Sequence, residues 1–102
     1  MNLERWQTFS LGVQLGHIGG ELGRARLAKA RNDTSSAQHN LDRALALLDL
    51  TLADVRWNKR SHELGILREV VQDQYNQTNL YEVDLPELEQ YCNQIVIGSA
   101  TS

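Results

Sequence analysis

The chain has one cysteine, one proline and one phenylalanine in 102 residues, and no basic residue after Arg68. A lone Cys92 cannot close an internal disulfide, so nothing requires an oxidising compartment. The start MNLERWQTF lacks the basic segment and apolar run of a secretion signal, which makes the cytoplasm the expected location. No apolar run nears the roughly 18 residues of a membrane span, so no membrane partner is expected. Zinc would need several Cys or His ligands at close spacing, and a carboxylate-bridged dimetal bundle would need Glu-x-x-His motifs on facing helices. Neither is present, and no metal or other cofactor is expected.

What is there fits a small globular protein: 41% hydrophobic and 23% charged residues, in a length suited to one domain. The expected domain runs over residues 1–98, with a frayed tail at 99–102. The net charge of −3 is unevenly distributed. All ten lysines and arginines lie at or before Arg68, whereas the remainder carries Glu69, Asp73, Glu82, Asp84, Glu87 and Glu89. Either the solvated faces simply differ in charge, or the acidic arm docks on the basic part of its own chain or of a second subunit.

The leucine spacing is helical throughout. Leu11, Leu15, Ile18, Leu22 and Ala25 alternate at four and three, which predicts a first helix from Leu3 to about Arg31. A turn at Asn32-Asp33-Thr34-Ser35 follows, with Ser35 and Gln38 as a capping box for a second helix through Leu41, Leu45, Leu48, Leu52 and Val55. So short a connection makes an antiparallel hairpin. Ser61 is expected to cap a third helix that fades at Tyr75-Asn76-Gln77, and Asp84 a short fourth helix that Gly98 ends. The fold class is therefore all-α, a small bundle built on a long helical hairpin.

Five of the seven glycines, Gly12, Gly16, Gly19, Gly20 and Gly23, fall inside the first helix. At 100° per residue, four of them form a stripe beside the leucines, with Trp6, Phe9, Val13, Gly20 and Leu27 along its other side and Gln14, His17, Glu21 and Arg24 facing solvent. Each glycine in a helix interior costs roughly 1 kcal/mol against alanine. Such a cost makes sense where another helix comes close to bare backbone. That helix is either a later one of the same chain or the first helix of a second subunit around a two-fold axis; a small apolar ligand is a third occupant. No GxxxxGK-Ser/Thr or GxGxxG pattern occurs, so a phosphate loop is not expected. The basic residues Arg24, Arg26, Lys29 and Arg31 and the group Arg56, Lys59, Arg60 and Arg68 lie near different ends of the hairpin. With a pI near 5.5, avid nucleic-acid binding is not expected.

The stretch ARLAKARNDTSSAQHNLDRALALL resembles the first helical hairpin of HEPN domains, whose second helix has the form AxHxxxxALxxL, matched here by Ala37, His39, Ala44, Leu45 and Leu48. HEPN ribonucleases use Arg-x4-6-His, a spacing that Arg56 and His62 share. The resemblance implies His62 as acid–base group and Arg56 as phosphate ligand, facing each other across a dimer; it departs from the family at Trp57, where a small polar residue is usual. The segment DRALALLDL is also similar to the end of a tetratricopeptide unit. Beside this catalytic alternative stands the reading favoured by the residues themselves: a non-catalytic interaction or assembly module, a homodimer or a binder of a protein partner, working through Gly12, Gly16, Gly19, Gly20, Gly23, Trp6, Phe9, Val13 and Leu27.

Overall fold

The computed structural model describes the backbone of residues 2–101 and the side chains of residues 2–95. Among them are five α-helices, α1 (Leu3–Trp6), α2 (Leu11–Ala30), α3 (Thr34–Leu52), α4 (Ser61–Asn76) and α5 (Leu85–Thr101), with a 3-10 helix at Val55–Arg60 and no strand. The helical hairpin is α2 and α3. Helix α5 packs on α2 as extensively as α3 does, α4 lies on α3, and α4 and α5 barely touch. The result measures 37 × 25 × 21 Å.

The expected first helix is broken in two. The chain turns at Gln7–Ser10, where Thr8 Oγ1 donates to the Arg5 carbonyl and Ser10 Oγ accepts from the Val13 amide at 3.2 Å, capping α2. Thr and Ser here offer the backbone local hydrogen bonds that compete with a continuous helix. The turn swings Trp6 into the core, where it is fully buried.

Three helix starts or ends also differ from expectation. Asp33, not Ser35, caps α3, its Oδ1 accepting from the Ser36 amide at 3.1 Å. Ser61 is the first residue of α4 rather than its cap; the preceding Arg60 makes no side-chain cap bond. Helix α5 spans 17 residues and passes Gly98, so it is not short. The tail expected at 99–102 falls outside the residues whose side chains are described. Asp84 does cap α5 as expected, accepting from the Glu87 amide at 3.0 Å.

The core runs through Trp6, Leu15, Ile18, Leu22, Leu48, Leu64, Val71 and Cys92, all less than 2% exposed. Leucine periodicity thus delivers one stripe from each long helix to a common interior. No helix among the described residues is long and apolar enough to cross a membrane.

Candidate glycine-floored groove

The glycines of α2 divide between two surfaces. Gly12, Gly19 and Gly23 are buried. A Cβ at Gly19 would lie 3.3 Å from the Cys92 Cβ on α5, and one at Gly23 only 2.9 Å from Glu89 Oε1. Glycine at 23 therefore leaves room for the Glu89 carboxylate, which accepts from Arg26 Nε at 2.7 Å and ties the acidic helix to the basic one. This half of the stripe is occupied by the same chain.

Gly16 and Gly20 remain open. Nothing lies within 4 Å of a Cβ placed at Gly16, and at Gly20 only the Arg24 guanidinium does, at 3.6 Å. Val13 and Leu27, on the same side of the helix, are 47% and 50% exposed. Of the expected walls, Trp6 has gone into the core and Phe9 is half-buried against it, whereas Val13 and Leu27 stay at the surface.

From Gly16 and Gly20 a groove of about 690 Å³ opens toward α3, with Leu47 and Leu50 on its far wall and His17, His39 and Arg43 among its polar lining. Leu47 and Leu50 are half-buried and rest against the core. Sequence reading places Glu21 and Gln14 toward solvent, but both are buried. The physical reason is that each has partners on α3 or beyond it. Glu21 Oε1 meets Arg43 Nε of α3 at 3.2 Å and Arg24 at 3.4 Å. His17, which the spacing would pair with Glu21, instead stacks on Phe9 with ring centroids 5.6 Å apart.

Gln14 belongs to a polar network under the groove. Its Nε2 donates to the Trp6 carbonyl at 2.9 Å, and its Oε1 accepts from Trp57 Nε1 at 3.0 Å. Trp6 Nε1 donates to Thr51 Oγ1 at 2.9 Å, and that hydroxyl donates to the Leu47 carbonyl. Buried indoles and amides are found with such partners because an unmet donor is costly. Sequence alone gave no pairing for residues 40 or more positions apart.

Arg56 and His62 have different contacts in this chain. Arg56 donates to the buried Asp54 through Nε at 3.0 Å and Nη2 at 2.6 Å, and to the Phe9 carbonyl at 2.8 Å, with its guanidinium 4.5 Å from the Trp57 ring centroid. The Arg56 guanidinium holds the Asp54 carboxyl below the usual carboxylate range. His62 lines a different, mainly apolar groove of about 400 Å³ between α4 and α5, with Ile66, Leu88 and Tyr91. No hydrogen bond joins the two among the described residues. Trp57, where the resemblance to HEPN domains departs, is the residue that stacks on Arg56 and bonds Gln14.

Cys92 is fully buried, and burial together with the nearby Glu89 charge pushes its thiol up to about 12, which suits packing rather than reaction. Among the described residues no three His, Cys, Asp or Glu side chains gather as a metal site requires. No family model, curated protein or solved structure matches the chain.

Proposed function

We propose that this chain is a non-catalytic cytoplasmic interaction module that self-associates through the open face of α2, formed by Val13, Gly16, Gly20 and Leu27. The observation that supports this most is the combination on one side of α2: Gly16 and Gly20, one turn apart and both clear of other elements of the chain, between exposed Val13 and Leu27. Each glycine leaves side-chain space in a helix interior at a cost of roughly 1 kcal/mol. Gly19 and Gly23 show how this chain uses such space elsewhere on the same helix. In a parallel two-fold arrangement Gly16 and Gly20 of the two copies would face each other, with Val13 meeting the second copy's Val13 and Leu27 its Leu27 on either side of them, and both copies would bury apolar side chains.

A cysteine placed on this face tests the reading. Val13→Cys adds an exposed thiol, while native Cys92 is buried and unreactive. Under mild oxidation the variant should form a disulfide-linked dimer within minutes at micromolar concentration, and an Ile66→Cys chain, altered on α4, should not. A Val13→Cys chain that stays monomeric, or an Ile66→Cys chain that links equally fast, contradicts the proposal.

A further inference from the structure

Glu21 lies at the polar end of the groove and has an unusual pairing. It is 5% exposed, both guanidiniums that reach it converge on Oε1, and Oε2 has no hydrogen-bond partner among the described residues. A buried carboxylate oxygen without a donor is costly and calls for one. The two arginines are the movable parts, their side chains 64% and 60% exposed.

Charge balance narrows what can enter. An anion that drew Arg24 and Arg43 away would strand Glu21 as an uncompensated buried charge, which is strongly unfavourable. A cation directed to Oε2 would meet two guanidiniums already in place. A zwitterion avoids both penalties, since its anionic end takes the arginines while its cationic end takes the carboxylate they leave. Apolar surface continues from this point along the bare backbone of Gly16 and Gly20 to Leu47 and Leu50. We infer that the groove binds a free α-amino acid with an apolar side chain, its ammonium on Glu21, its carboxylate on Arg24 and Arg43, and its side chain on the glycine floor between α2 and α3. The amino acid and a second copy of α2 both use the Gly16–Gly20 floor, so the two occupants exclude each other there; only the amino acid needs Glu21, and only self-association needs Val13 and Leu27.

Titration calorimetry on the whole chain tests it with L-phenylalanine and two fragments, hydrocinnamate without the ammonium and phenethylamine without the carboxylate. Phenylalanine should bind with Kd of ~1 mM or tighter, and each fragment at least about tenfold more weakly. Glu21→Gln should weaken phenylalanine at least about tenfold. Should that variant unfold, Ala46→Phe, at an exposed groove position on α3, should abolish binding by filling the space while leaving the fold and the Val13–Leu27 face intact. Absence of phenylalanine binding by the native chain overturns the inference, as does hydrocinnamate binding as tightly as phenylalanine. Retained binding by Ala46→Phe overturns it too. Self-association is read separately, from the Val13→Cys cross-link formed without added amino acid, so failure of either reading is distinguishable from failure of the other.

Discussion

Thr51 is an ordinary-looking residue near the end of α3, yet its hydroxyl is the acceptor for the buried Trp6 indole. Replacing it with valine keeps the shape and leaves a buried N–H without a partner. Thr51→Val should therefore lower stability by about 1–3 kcal/mol in urea unfolding, with no change in the slope of the transition. Asp54 and Asp73 raise a pH question at the same scale. Asp54 is held low by hydrogen bonds from Arg56, and Asp73 by those from the Thr78 hydroxyl and the Leu80 and Tyr81 amides. A carboxyl whose folded value lies below its unfolded one stabilises the fold above the unfolded value, and that contribution is lost as pH falls through the folded value. Urea midpoints should accordingly be level at neutral pH and decline below about 4. Asp54→Asn should be less stable at pH 7 and show a shallower decline on acidification. None of these pairings was legible in the sequence, because each joins residues that local spacing does not relate or depends on a turn that propensity does not specify.

At the scale of elements, the long helices could be read from leucine spacing, since one stripe per helix must face the core whatever the order of packing. The break at Gln7–Ser10 could not, because the apolar pattern runs through it and only the Thr8 and Ser10 hydroxyls mark it. Burial of Glu21 and Gln14 was hidden for a related reason: a helix clamped between two neighbours has more than one inward face, and the second face here carries polar groups with distant partners. The glycines show what a stripe can and cannot tell. Their close approach to a helix is real at Gly19 and Gly23, where α5 of the same chain lies, and only the structure separates these from Gly16 and Gly20. Substitutions should divide the same way. Gly65→Ala on α4, where nothing lies within 4 Å of the new Cβ, should gain roughly 0.5–1 kcal/mol from helix propensity. Gly19→Leu must push against Cys92 and should cost about 1–3 kcal/mol or more, read as a lowered urea midpoint.

For the molecule as a whole, the uneven charge is partly accounted for within one chain, where Glu89 of the acidic segment pairs with Arg26; Arg68 separately reaches Asp49 within the basic part. These pairs help hold α5 on α2 and α4 on α3, and they leave the open face of α2 without a covering element. That face carries the functional proposal: two glycines in a helix interior, uncovered by their own chain, between exposed Val13 and Leu27. The measurement that tests it most directly is solution mass by light scattering for the native 11.5 kDa chain and its Gly16→Leu variant, with Gly65→Leu as a control on α4. The native chain and the control should have twice the chain mass and Gly16→Leu the mass of one chain, still folded by circular dichroism. A monomeric native protein, or a Gly16→Leu variant with undiminished mass, would contradict the account.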